Sequence, residues 1–208
     1  MKKTLEVFLS KKPILALAFM LGFTGWNAVN LRAEGSIAYR GELKVRFFAT
    51  STLHDFEGEI PTIKLEASRL VMDAPSPGDR WEAISKVGVK TLTTHHEKRD
   101  VKMLEMFKED RFPVFQLQVN DAIQPSSDDT PASLPVMVTI LGKSVKVEGH
   151  IKDWSDTEGK VSFRLETELS LGAFGLERPG TAFGLIRVGD KVRVEADVHV
   201  VRKEESLD

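Results

Sequence analysis

Residues 191–201 alternate without a break. Val192, Val194, Ala196, Val198 and Val200 fall on one side of an extended chain, and Lys191, Arg193, Glu195, Asp197 and His199 on the other. Successive strand side chains point to opposite faces, so this stretch carries one dry face and one wet face. The same period places Val161, Phe163, Leu165 and Leu169 opposite Ser162, Arg164, Glu166 and Glu168, and Val145, Val147 and Ile151 opposite Lys146, Glu148 and His150. Leu43, Val45, Phe47 and Ala49 face away from Glu42, Lys44 and Arg46, and Phe115, Leu117 and Val119 away from Gln116, Gln118 and Asn120. Residues 59–72, 81–92 and 134–141 are less regular but rich in strand formers.

Turn residues divide these runs into eight strands: Pro75-Ser76-Pro77-Gly78-Asp79, the polar stretch 124–133, Gly142-Lys143 and Asp156-Thr157-Glu158-Gly159. Gly142-Lys143 has the spacing of a tight hairpin, and residues 153–159 that of a longer one, so consecutive strands are expected to pair as a meander. Only residues 98–110 break the period. There Val101, Leu104 and Phe107, with Met103 beside them, recur every three to four residues and Pro113 follows, which predicts a three-turn amphipathic helix. One helix cannot cover the apolar faces of eight long strands, so the sheet must close on itself. The predicted fold is all-β with one helix: an eight-stranded antiparallel barrel, whose interior is either filled by side chains or holds one slender ligand.

The chain has 208 residues, 41% hydrophobic and 29% charged, with a net charge of -2 and no cysteine. Residues 1–33 hold Lys2, Lys3, Lys11, Lys12 and Arg32 against Glu6, so the remainder carries about -6. That body offers no basic cluster to release counterions from a nucleic acid, which excludes a nucleic-acid partner. The basic start is followed by an apolar run, residues 13–23, too short for the roughly 20 residues that span a bilayer. Residues 1–33 therefore read as a secretory signal cleaved after Ala33, with an uncleaved anchor as the alternative, and residues 34–208 as one exported domain, periplasmic or secreted. Without cysteine the domain has no disulfides, catalytic thiol or Cys-based zinc site. Its core alone must hold it, and a domain of this size buries roughly 70% of its unfolded surface.

Several pieces together resemble the YceI-like family. They are Val87-Gly88-Val89-Lys90-Thr91-Leu92-Thr93-Thr94, Lys98-Arg99-Asp100, Met103-Leu104, Met106-Phe107 and Arg111-Phe112-Pro113-Val114-Phe115. Phe56-Glu57-Gly58-Glu59-Ile60, the run from Val138 through Gly142 to Val145, and Val188-Gly189-Asp190-Lys191-Val192 agree in order and spacing, so the likeness covers about residues 37–202. Two stretches depart from it: Ser51-Thr52-Leu53-His54-Asp55 replaces a Gly-x-Phe repeat, and residues 172–189 keep only Ala173-Phe174-Gly175 and Ala182-Phe183-Gly184. The resemblance implies an exported lipocalin-like barrel with a helix over one end, holding a polyisoprenoid, quinone or other long-chain amphiphile, with no catalysis and no cofactor.

The inward set is the candidate ligand-binding lining: Leu43, Val45, Phe47, Phe115, Leu117, Val138, Ile140, Val147, Phe163, Leu165, Val192 and Val194. Periodicity alone does not separate a lipid tunnel from a packed core; a carrier requires a through-going apolar cavity. The rival is a solid barrel working through its surface, an envelope-stress or interaction module, which requires an exposed apolar patch. A third reading, an enzyme, needs a His and a carboxylate converging in a cleft among His54, Asp55, His95, His96, Glu97 and Asp100. Adjacent histidines on a strand face opposite ways, so His95 and His96 are expected at a barrel rim, without a metal. Arg99-Asp100 is expected to cap the helix and tie it to a strand, and Arg99 could meet a polar head group if the helix covers a mouth. The residues 174–183 could gate that mouth with exposed aromatics. The sequence leaves room for a homodimer and for transient membrane contact without requiring either.

Overall fold

A computed structural model of the chain describes residues 33–72, 80–123, 132–178 and 187–203. The segment read as a signal therefore lies outside the described residues except for Ala33, as do residues 179–186 with Phe183. The strands are β1 (Ala33–Ser51), β2 (Phe56–Met72), β3 (Arg80–Gly88), β4 (Val114–Ala122), β5 (Ser133–Ile140), β6 (Lys143–Thr157), β7 (Lys160–Ser170) and β8 (Val188–Arg202). Each pairs antiparallel with the next, and β8 returns to β1 to close the barrel. One helix, α1 (Glu97–Met106), lies between β3 and β4.

Closure follows from the alternation. In register, Leu43 meets Val198, Val45 meets Ala196 and Phe47 meets Val194 across β1 and β8, while Phe163 meets Val198 and Leu165 meets Ala196 across β7 and β8. Each of these pairs puts two apolar side chains on the inner face, where they pack in two buried clusters stacked along the barrel. The wall is uneven: β2 and β3 pair only from Ala67↔Ala83 to Leu70↔Arg80, and β4 and β5 only from Gln116↔Thr139 to Gln118↔Met137.

Both predicted hairpins form, each shifted from its expected place. The first turn is Leu141-Gly142, with φ of 51° and 73°. The second is Glu158-Gly159, with φ of 51° and 76°. Positive φ at both central residues makes each a two-residue turn whose twist matches the flanking strands. The longer hairpin expected over 153–159 is thus a short one, because β6 runs through to Thr157. What interrupts β6 is Asp153 at φ 53°, where the register slips between Lys152 and Ser155. This bulge turns the Trp154 ring onto Phe163, stacked at 5.3 Å, and toward Trp81 at 6.5 Å.

The helix is ten residues long and stops before the expected Asp110, as Lys108 takes φ 49°. Its inner face also differs from the expected stripe. Val101 is 51% exposed, whereas Met103 and Phe107 are buried. At 100° per residue, Arg99, Lys102, Met103, Met106 and Phe107 share one face, and all five border the barrel interior.

The motif residues turn out to be locks around the α1 end. Gly58 is required by close approach: a Cβ there would stand 2.2 Å from the Phe47 ring and 2.6 Å from the Thr93 carbonyl oxygen. That approach lets Glu59 and Thr93 exchange backbone hydrogen bonds of 2.8 and 3.0 Å, which bind the segment before α1 to β2. The Val89 N–H donates to the Pro113 carbonyl at 2.9 Å, closing the other side of the helical excursion. At the β7–β8 junction Asp190 accepts from the Ser170 hydroxyl at 2.6 Å and the Gly172 N–H at 2.9 Å. Those hydrogen bonds hold its carboxyl below the usual carboxylate range.

Candidate binding cavity

The barrel is hollow. A cavity of about 590 Å³ occupies its interior, inside the roughly 300–1,000 Å³ common for small-molecule pockets. All twelve residues of the sequence-derived lining border it, from Phe47, Phe115, Ile140 and Val192 toward the α1 end to Leu43, Phe163 and Leu165 deeper in. Its wall is built of aliphatic and aromatic side chains. Among the described residues that border it, the polar exceptions are Ser51, Ser85 and Thr167, and the ionisable ones are His54, His96, Arg99 and Lys102.

Away from α1 the cavity is narrowed by bulky apolar side chains. Trp81, Ile123, Leu134 and Val200 border it there, while Tyr39 and Val161, both buried, lie beyond it. Tyr39 packs its ring 5.2 Å from Trp81. Arg69 of β2 and Asp156 of β6 then meet at 2.6 Å, although the two strands are not neighbours in the barrel. The same guanidinium lies 5.6 Å from the Trp81 ring. A pair spanning the interior in this way ties opposite walls of the barrel together.

The other end lies under α1. Asp100 in the first helical turn accepts from the Thr93 hydroxyl at 2.9 Å, the Thr94 N–H at 2.8 Å and the Thr94 hydroxyl at 2.6 Å. Burial pushes its carboxyl up, but those three bonds and the Arg99 charge outweigh it and hold the group below the ordinary carboxylate value. Asp100 thus ties the helix to the segment paired with β2, as expected, but it does not cap the helix: the N-cap residue is His96, with no side-chain cap hydrogen bond, because the Asp100 carboxylate is taken up by Thr93 and Thr94. Phe174, expected as an exposed gate, is instead only 2% exposed and packs into the core beside Leu171 and Leu176, because the turn Gly172–Phe174 folds it inward.

The histidines stand apart from one another in role. His95 takes φ 54° and its Nε2 lies 3.1 Å from Glu59 Oε1 on the exposed rim, whereas His96 precedes α1 and borders the cavity. Among the described residues no three His, Asp or Glu side chains are grouped to hold a metal ion.

Sequence reading missed the contribution of β3, where Trp81, Ala83, Ser85 and Val87 point inward and Ile84, 58% exposed, points out. A large apolar residue outside and a serine inside invert the usual signal; the parity of Trp81 and Val87 was the available clue. The Ser85 hydroxyl is buried with no hydrogen-bond partner. Its place is where β3 has parted from β2. An unsatisfied buried hydroxyl costs on the order of 1 kcal/mol or more. Ser85→Ala is accordingly expected to stabilise the fold by about 1 kcal/mol in urea unfolding, and a lowered midpoint would mean that the hydroxyl has a partner.

Comparison with solved structures gives the same barrel. BcnA of Burkholderia cenocepacia superposes with a TM-score of 0.55 at 16% identity, over 76% of this chain and 96% of that one. A polyisoprenoid-binding domain from Saccharophagus degradans, implicated in plant cell wall breakdown, superposes with a TM-score of 0.53 at 8% identity, over 81% of this chain and 100% of that one. The fold is therefore the lipocalin-like barrel that the resemblance implied. The YceI protein of Campylobacter jejuni matches more weakly, with a TM-score of 0.46 at 15% identity over 71% of this chain and 85% of that one. No family model and no curated protein matches the chain.

Proposed function

We propose that the chain is an exported, non-catalytic carrier, residues 1–33 serving as its signal and the barrel holding the tail of an isoprenoid-like, quinone or other long-chain amphiphile. The observation that carries this reading is the cavity of about 590 Å³ with its almost wholly apolar wall. Each methylene moved from water into such a wall gains about 0.8 kcal/mol, so ten of them supply about 8 kcal/mol before the costs of association. At the roughly 30 Å³ that a water-sized group occupies, the volume admits on the order of 20 such groups. The polyisoprenoid-binding domain that shares the fold is consistent with a lipid-like ligand here. A solid barrel working through its surface fits less well, because among the described residues the large exposed apolar side chains, Leu53, Ile84, Val101, Val114, Trp154 and Val201, each belong to a different element or loop.

The test is native mass spectrometry of the protein purified from the envelope fraction without detergent, followed by organic extraction. The expected result is a stoichiometric adduct of a few hundred daltons, extractable into solvent. A clean apo mass that also refuses added long-chain probes would sink the carrier reading.

A further inference from the structure

We propose that the occupant of the cavity is an anionic single-chain amphiphile whose head group pairs with Arg99 at the α1 rim; this rests on the carrier reading and names its ligand class. The chain carries a net charge of -2, yet every ionisable described side chain that borders the cavity is basic: His54, His96, Arg99 and Lys102. Two of the four stand on the inner face of α1, Arg99 one turn ahead of Met103 and Lys102 one turn ahead of Met106. A helix with its cations at the rim and its apolar residues over the interior has the polarity of an amphiphile lying beneath it.

Arg99 is the centre of this arrangement. It is half-buried, its guanidinium lies 4.5 Å from the Phe56 ring, and no described carboxylate forms an ion pair with it. Its neighbour Asp100 is spent on Thr93 and Thr94. Lys102 stands 3.7 Å from Glu105 with both side chains mostly exposed, a pair too weak to cancel the rim. A half-buried guanidinium that feels the Asp100 charge but has no described carboxylate within ion-pair distance is poised for a planar or tetrahedral oxyanion, to which it can give two parallel hydrogen bonds. A carboxylate and a phosphate monoester share that chemistry; a neutral quinone or alcohol does not.

The test titrates the delipidated full chain with palmitate, hexadecyl phosphate and 1-hexadecanol, three ligands with one tail and different heads, by calorimetry. One or both anions are expected to bind about tenfold tighter than the alcohol. Arg99→Gln should erase that preference without weakening the alcohol, Arg99→Lys should retain part of it, and Arg40→Gln on the outer wall should leave it intact. Preference for the phosphate alone, or for palmitate alone, identifies the head group and upholds the proposal. Equal binding of all three, or a preference that survives Arg99→Gln, overturns it while leaving the carrier reading in place. Failure of all three to bind defeats the carrier reading itself.

Discussion

Replacing Ala196 with Phe is expected to weaken binding of any long-chain ligand by about a hundredfold while leaving the barrel folded. Ala196 is buried on β8, faces the cavity, and is flanked in register by Val45 of β1 and Leu165 of β7. A phenyl ring at that point occupies space otherwise open to the tail. Displacing about four methylenes forfeits about 3 kcal/mol at 0.8 kcal/mol each, and every 1.4 kcal/mol is a factor of ten. The ring enters an existing void, so the strain that accompanies overpacking of a filled core is absent and stability should change by about 1 kcal/mol or less. Probe titration and urea unfolding of the same preparation check both halves. Undiminished affinity in a folded variant would place the ligand outside the barrel.

The strands that were legible in the sequence are those whose parity is unbroken. Along β1, β7 and β8 one face meets water and the other the interior, so apolar and polar residues must alternate, and the inner set could be read directly from Leu43 to Val194. Parity fails where the backbone departs from a simple pleat. The bulge at Asp153 sends Trp154 inward, against the alternation that Val145, Val147 and Ile151 establish. On α1 a search for an apolar stripe favoured Val101, because it gave no weight to Arg99 and Lys102 on the face that actually meets the cavity. The tie across the barrel was beyond any local pattern: Arg69 and Asp156 lie 87 residues apart and meet only because the barrel brings β2 and β6 face to face. Periodicity thus locates walls, while the ties between them come from contacts between distant elements.

The two ends of the cavity are built for different tasks. The end away from α1 joins opposite walls through an ion pair set against Trp81, whose ring also meets Tyr39 and Trp154. The α1 end is held by backbone bridges and by one carboxylate. On the carrier reading, entry of a tail at this end depends on how firmly α1 is fastened, and Asp100 makes three of the fastening hydrogen bonds.

Asp100→Ala is expected to destabilise the protein by about 3 kcal/mol and to detach α1 from β2. The change removes an ionised acceptor of three hydrogen bonds and leaves the N–H and hydroxyl of Thr94, a residue only 7% exposed, without their partner. Bonds to a charged group contribute about 1.5–3 kcal/mol each, and solvent reaching the loosened rim recovers part of that loss. Asp100→Asn keeps one oxygen and should lose roughly half as much. The acid response follows from the sign of the shift. Because the folded-state pKa is lowered, the stabilisation is complete above the unfolded carboxylate value of about 3.9 and disappears as pH falls through the lower folded value. Wild-type stability should then drop steeply below about pH 4. Asp100→Asn should flatten that drop without abolishing it, since the Asp190 carboxyl is lowered in the same direction by Ser170 and Gly172 at the β7–β8 junction. Urea midpoints at pH 7 and pH 3 for both proteins decide the matter: equal acid losses in the two would show that Asp100 carries no charge-dependent share of the lock. A flattened loss accompanied by faster release of a bound probe at pH 7 would show that the same carboxylate holds the helix over the mouth.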